Sequence, residues 1–333
     1  MNKPLVSISC ITYNHEKYIS DALDSFLMQK TDFEFEILIH DDASNDRTAD
    51  IIRDYEKKYP NIIKPIYQSE NQYSKGRQRM FHIFNDSRAI GKYIALCEGD
   101  DYWTDPYKLQ KQVDYMKKNP KCSMCIHSAN IIDGEKRLQG IKVRPYKESC
   151  IVSIDDLIMG GGGFCATASI MYYKKAFEDL PQFYMDAHVG DYPLQLILAS
   201  RGQVYYINES MSAYRVGIQG SWTTNLNSGN DSKEKDIKNC ENDIKLLKKF
   251  DIYTMHRYRK TINLAINKRE MLILLISRKK SEIKKSQCKE YYNSLKINDK
   301  FKVNMKYYFP KIIQEIKTII RYIRICVYNL NIK

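Results

Sequence analysis

No apolar run in this 333-residue chain reaches membrane-spanning length, which excludes an ordinary transmembrane helix. A secretory leader is also missing: Met1-Asn2-Lys3-Pro4 leads straight into the short apolar run Leu5 to Ile11, so a cytoplasmic protein is expected. The nine cysteines are odd in number and scattered, and the close pair Cys122 and Cys125 lacks the second pair that a zinc site needs. Small, reduced core residues are the expected role. No G-x-G-x-x-G follows the first apolar run and no P-loop occurs anywhere, which disfavours a dinucleotide or NTPase site. Internal repeats and low-complexity tracts are absent too.

What the chain does have is charge of one sign. Fifty-three Lys and Arg against 40 Asp and Glu give a net +13, so an anionic partner is expected: a phosphorylated substrate, an acidic membrane surface or nucleic acid. The acidic residues with potential chemistry lie before about residue 200, whereas Lys and Arg crowd Lys233 to Lys333. With 43% hydrophobic residues the chain can bury one sizeable core plus an appendage.

Apolar runs and helical patterns alternate along the first half. Val6 to Ile11, Phe35 to Ile39, Ile62 to Tyr67 and Tyr93 to Cys97 predict strands. Ile19, Ala22, Leu23, Phe26 and Leu27 predict a helix, as do Ala49, Ile52 and Tyr55. Repeated βα units of this kind imply an α/β fold with a mostly parallel sheet flanked by helices. Asp105-Pro106 begins a further helix that ends at Asn119-Pro120. Beyond Gly160-Gly161-Gly162-Gly163, a strand at Ala168 to Tyr172, a helix after Gly190-Asp191 and a strand at Val204 to Ile207 are expected. The polar stretch Ser228 to Lys235 suggests a boundary between a domain over 1–227 and a basic helical region over 228–333, whose last helical stretch is Ile312 to Ile325.

In an open parallel sheet, ligands bind beyond the carboxyl ends of the strands. Three segments fall there: Thr12-Tyr13-Asn14, Asp41-Asp42-Ala43-Ser44 and Glu98-Gly99-Asp100-Asp101. A carboxylate at Asp41 or Asp42 suits the imide N–H of a uracil or thymine ring, but Asp and Ser also cap helices. Tyr13 could flank a base, or the segment is simply a βα turn. Asp100 suits a hard cation that bridges to a diphosphate, with Glu98 and Asp101 acting through water, through ribose hydroxyls or as turn caps.

These residues resemble the inverting glycosyltransferases of family 2, which have the GT-A fold. The likeness runs from Ser7-Ile8-Ser9-Cys10-Ile11-Thr12-Tyr13-Asn14 through Asp41-Asp42-Ala43-Ser44, Glu98-Gly99-Asp100-Asp101-Tyr102-Trp103 and Asp105-Pro106-Tyr107-Lys108-Leu109 to Tyr214-Arg215. The Glu98 to Leu109 block is its most specific part, and it is similar to members that build bacterial capsule, lipopolysaccharide or other cell-surface glycans. The resemblance implies a UDP-sugar donor, with dTDP- and GDP-sugars as alternatives, and a saccharide or lipid-linked acceptor. It also implies nucleotide contacts from Thr12, Tyr13, Asn14, Asp41, Asp42 and Glu98, and a Mn²⁺ or Mg²⁺ ion at Asp100 and Asp101. Asp191 takes the position of the general base. Glu98 stands where the metal motif usually has Asp. Gly217 stands where similar proteins place a His two residues after the Tyr-Arg pair, leaving Arg215 as the diphosphate contact at that place. His188 and Trp222 are acceptor-side candidates.

Tyr and Ile interleaved with Lys and Arg in the C-terminal third fit an interfacial helix, placing the protein on the inner face of the cell membrane. A helical bundle with solvated charged faces, packing on the catalytic domain or on another subunit to give a homo-oligomer, fits equally. No nucleic-acid module accompanies the charge, so nucleic acid is not an expected partner. The competing functions are a membrane-associated scaffold that binds a nucleotide sugar without turning it over, and a nucleotidyltransferase. A Gly-rich, Lys-bearing loop after the first strand, which the latter would use, is absent.

Overall fold

The structure is a computed structural model that describes residues 3–77, 79–218, 232–283 and 286–309. Two compact units divide it: residues 1–136 with 142–215, and residues 137–141 with 216–333.

In the first unit the expected alternation appears as β1 (Val6–Thr12), α1 (Ile19–Leu27), β2 (Phe35–Asp41), α2 (Thr48–Lys58), β3 (Ile63–Tyr67) and β4 (Tyr93–Glu98). A π-helical segment, Phe81–Asp86, precedes β4. Next come β5 (Tyr102–Trp103), α3 (Lys108–Lys118), β6 (Cys122–Ile132), β7 (Leu138–Val143), whose residues 138–141 belong to the second unit, β8 (Cys150–Ile151) and α4 (Ile154–Gly160). The first unit closes with β9 (Met171–Tyr173), α5 (Gln182–Asp186), α6 (Asp191–Arg201) and β10 (Gln203–Arg215). The strand order is β3-β2-β1-β4-β9-β6-β10-β5. The first four strands are parallel, β9 runs antiparallel between β4 and β6, β6 and β10 are parallel, and β5 and β8 pair antiparallel with β10.

Sheet and helices meet over one apolar cluster. Val6, Ile8 and Cys10 of β1 pack with Ile37 and Ile39 of β2, with Ala95 and Cys97 of β4, and with Leu23 and Phe26 of α1. Burying such a set supplies most of the folding free energy at roughly 25 cal/mol per Å² of apolar surface. Trp103 sits within the cluster with its ring 4.8 Å from Phe26 and its indole N–H donated to Ala168 O at 2.9 Å. A buried indole needs that partner.

Several elements depart from the expected pattern. The strand expected at Ala168 to Tyr172 is confined to Met171–Tyr173, because Thr167–Ser169 forms a 3₁₀ turn. The strand expected at Val204 to Ile207 continues to Arg215, with shifts of register between Ile207 and Ser212. Gly160 ends α4, and Gly162–Phe164 is a 3₁₀ turn rather than an open breaker. All eight described cysteines are free.

The second unit contains α7 (Ser232–Tyr253), α8 (Arg259–Ile276), α9 (Lys289–Ser294) and α10 (Ile297–Tyr308). Arg269 of α8 donates to Asp243 of α7 at 2.8 Å, and Phe250 stacks on Tyr258 with ring centroids 6.3 Å apart. Among the described residues no helix is long and apolar enough to cross a membrane. The first half of the expected boundary, 228–231, and the stretch Ile312 to Ile325 lie outside the described residues.

Candidate active site

Register brings the three acidic or polar segments to one edge. Thr12 pairs with Asp41 across β1 and β2, and Ile11 pairs with Glu98 across β1 and β4. The carboxyl ends of the parallel strands therefore present Thr12, Asp41 and Glu98 side by side. Gly99 lets β4 come this close, since a Cβ there would lie 2.6 Å from Thr12 Oγ1.

The loops after β1 and β2 are laced together. Asn14 N–H donates to Ser44 Oγ, Asn45 N–H to Asn14 Oδ1, His15 N–H to Thr48 Oγ1 and Glu16 N–H to Asp46 Oδ2, all within 2.8–3.0 Å. Asn14 and Ala43 adopt positive φ, at 54° and 61°, to make the turns. A short polar side chain helps Asn14 tolerate that conformation. Asp41, singled out as a base-reading carboxylate, accepts the Ser44 hydroxyl at 2.5 Å. Burial raises its pKa. Asp42 accepts the backbone N–H groups of Gln72 and Tyr73 at 2.7 and 3.0 Å, which fastens the loop after β3 to the same edge. Tyr13 is 39% exposed, so its ring is open to a ligand, whereas Thr12 is buried and in contact with His15 Nδ1 at 3.1 Å.

The segment after β4 divides its acids between two environments. Asp101 is buried and accepts Arg215 N–H at 2.8 Å, and burial beside Asp100 and Glu98 pushes its carboxyl well above the usual range. Arg215 is also buried: its guanidinium donates to Asp100 O and to Asp21 Oδ2, the latter at 2.9 Å, and faces the rings of Tyr18 and Tyr102. These two residues, expected to touch metal and diphosphate, are placed as struts of the Asp100 loop. Asp100 keeps its carboxylate partly exposed, 3.9 Å from His15 Nε2. Glu98 is raised to about 8 by burial, by Asp100 and by Asp191. Glu98 thus sits within the electrostatic reach of both Asp100 and Asp191.

Asp191 is the first residue of α6, and its Oδ1 accepts Tyr192 N–H at 2.7 Å. A carboxylate at a helix N-terminus is stabilised by the helix dipole. The Tyr192 hydroxyl fixes the start of α6 against α4 by donating to Ile158 O at 2.7 Å. His188 is half-buried in the segment leading to Asp191. Trp222 lies outside the described residues.

Two contributors escaped the sequence reading. His15 faces Asp100, yet it sits in the loop after β1 as a lone His with no motif around it. Arg79 is buried, donates from Nε to Tyr184 O at 2.6 Å and from Nη2 to Ala187 O, and carries positive charge toward Asp191. Nothing in the run Lys75 to Arg79 separates this Arg from its basic neighbours; only the fold brings it to the 184–191 segment.

Among the described residues no group of three His, Cys, Asp or Glu side chains forms a ready-made cation cage. The donor set still suits a hard ion that takes one or two carboxylate oxygens from the protein and the rest from phosphate and water, as Mg²⁺ commonly does. Burial is the main cause of the rise in Glu98, and the added repulsion from Asp100 and Asp191 is what such an ion would relieve.

The model of glycosyl transferase family 2 matches residues 7–180. The chain belongs to glycosyl transferase family 2. An uncharacterized protein of Mycobacterium tuberculosis is 37% identical over 222 residues, 65% of this chain and 60% of that relative, so the similarity spans less than two thirds of the relative's length. Two solved structures share the fold at low identity. TarS of Staphylococcus aureus, solved with UDP-GlcNAc, is 16% identical with a TM-score of 0.57, covering 89% of this chain and 77% of that one. The mannosyltransferase PcManGT of Pyrobaculum calidifontis, solved with GDP-Man and Mn²⁺, is 14% identical with a TM-score of 0.56, covering 99% and 88%. The family 2 match ends before α6, so Asp191 and Arg215 lie beyond it.

Proposed function

We propose that this chain transfers a sugar from a nucleotide-diphosphate donor, a UDP-sugar, to a saccharide or lipid-linked acceptor of a cell-surface glycan, inverting the anomeric centre. The observation that carries this reading is the convergence of Glu98, Asp100 and Asp191 beside the carboxyl ends of the parallel strands.

The exposed Tyr13 ring would cover the base, while the laced loops after β1 and β2 hold Asp41 and Asp42 in the nucleotide pocket. Asp191 would take the proton of the acceptor hydroxyl as that oxygen bonds to the anomeric carbon and the bond to the diphosphate oxygen breaks. The carboxylate ends protonated and the nucleoside diphosphate leaves with the electron pair. Mn²⁺ or Mg²⁺ held by Asp100, with Glu98 and Asp101 in support, would neutralise charge on that leaving group. Arg79 serves indirectly, by fixing the segment that carries His188 and Asp191.

Residues 1–227 form the catalytic region in this reading, and 228–333 a basic appendage that meets an anionic membrane surface or a second copy. Sedimentation with anionic vesicles, with and without residues 228–333, separates these two. For the activity, a thermal-shift screen of nucleoside diphosphates and nucleotide sugars with Mn²⁺ should give a UDP-specific, metal-dependent rise in Tm. Absence of that rise, together with Asp100→Ala leaving UDP release from UDP-sugars unaltered, would sink the reading.

A further inference from the structure

Between α4 and the strand-loop segment at 142–146 lies a cavity of about 620 Å³, lined by Lys142, Arg144, Tyr146, Gly160, Gly163 and Phe164 among others. A volume of this order suits a small saccharide.

One wall of the cavity is also a wall of the catalytic centre. The glycine run at 160–163 lines the groove through Gly160 and Gly163, and a Cβ on Gly163 would meet nothing within 4 Å. The intervening Gly162 lies against the proposed base, its ideal Cβ position 3.1 Å from Asp191 Oδ2. Backbone without side chains is therefore all that this run places between groove and base.

The floor is aromatic and its orientation is fixed. Tyr146 meets Phe164 edge to face at 6.1 Å between centroids, and its hydroxyl donates to Asp156 Oδ2 at 2.8 Å. Aromatic and apolar surface of this kind packs against the C–H face of a sugar ring.

The rim carries two cations, and the one carboxylate among the lining residues, Asp156, is engaged by the Tyr146 hydroxyl rather than by either of them. Lys142 Nζ donates to Ser210 Oγ at 3.1 Å; Arg144 donates to Asn208 Oδ1 and Lys147 O, each at 2.8 Å. Every one of these partners is neutral, and among the described residues neither cation forms an ion pair. The hydrogen bonds hold both heads at the groove and leave their charge for a ligand. A neutral acceptor would need no such pair of cations.

We infer that this groove is the acceptor site and that the acceptor is a saccharide bearing a phosphate or carboxylate, its anionic group at Lys142 and Arg144 and its ring over Tyr146 and Phe164. The inference rests on the transferase reading and specifies the acceptor class for the same centre. The anion can come from a phosphate-bearing polymer or from a lipid-linked diphosphate, since both present the same chemistry to Arg144.

The test titrates the full chain, saturated with UDP and Mn²⁺, with three probes: maltose, a soluble glycerol-phosphate oligomer, and phosphatidylcholine vesicles carrying a polyprenyl-diphosphate disaccharide. One of the charged probes should bind about tenfold more tightly than maltose, with the advantage shrinking as salt is added. The variant Lys142→Ala with Arg144→Ala should erase that advantage while keeping its Tm, because both side chains are exposed. Preference for the oligomer assigns the polymer source, and preference for the loaded vesicle over plain phosphatidylcholine assigns the lipid source. Equal binding of neutral and charged probes, or a double variant matching the wild type, overturns the inference. A chain that fails to bind UDP would overturn the donor reading instead, and the same comparison without UDP would still decide the groove.

Discussion

A Cβ added to Gly162 would lie 3.1 Å from Oδ2 of Asp191, closer than such atoms ordinarily approach. Gly162→Ala should therefore move the Asp191 carboxylate by a few tenths of an ångström. At the proposed base a displacement of that size should lower kcat by up to about tenfold. Asp191→Asn should be more severe, about 10²–10⁴-fold in kcat, since it removes the proposed proton acceptor itself. Steady-state kinetics on both variants checks the order: if Gly162→Ala matched the wild type, the carboxylate would have room that the structure denies it.

Asp21 neutralises the buried guanidinium of Arg215, which in turn holds the carbonyl of Asp100. Asp21→Ala leaves that charge without its carboxylate partner, at a cost of about 3 kcal/mol. It should lower Tm in a melting experiment and raise the donor KM, because the Asp100 loop loses its strut. A variant with reduced Tm but an unaltered KM would separate the strut from the site.

Lys108 is fully buried over the Trp103 ring, 3.8 Å from its centroid, and its ammonium has no hydrogen-bond partner. Desolvation pushes it down to about 7 from 10.5. Replacement by an apolar side chain of similar length removes a buried charge, so Lys108→Met should raise stability by about 1 kcal/mol despite losing the contact with the ring. Urea unfolding at neutral pH reads the effect, and a decrease would mean that the cation–π contact outweighs the desolvation.

His127 is buried in β6 with Nε2 unpartnered, and burial lowers it from 6.5 to about 3. The unfolded chain then binds a proton that the folded chain refuses. The corresponding stability is fully present above 6.5 and is lost as pH falls toward 3. His40, lowered to about 4 by burial, acts in the same direction. His127→Asn should flatten the acid side of a Tm-against-pH curve, and an unchanged slope would place the titration elsewhere.

The β1–α1–β2–α2 frame was legible because its apolar residues follow strand and helix periods without interruption, and the Glu98 to Leu109 block carried the family signal. β6 was not legible. Its sequence, Cys-Ser-Met-Cys-Ile-His-Ser-Ala-Asn-Ile-Ile, mixes polar residues into a strand whose first eight residues are all buried. Ser123, for instance, is satisfied by donating to Leu198 O at 2.7 Å, a partner 75 residues away. The length of β10 was hidden for a related reason: Asn208-Glu209-Ser210 looks like a turn, yet the strand absorbs it through shifts of register against β6. Arg215 and Asp101 were found as important positions but not as each other's partners, because that pairing depends on β10 returning to the end of β4. Tertiary partners of this kind leave no local pattern.

The lacing of the loops after β1 and β2 bears on how such a protein can be re-engineered or diversified. With Asn14, Ser44, Asp46 and Thr48 bonded across the two turns, neither loop is an independent module. Grafting one loop from a relative with a different nucleotide preference would strand the hydrogen-bonding groups of the other. A functional chimera would have to exchange both turns as a single cassette, and natural variation at these two places should travel together.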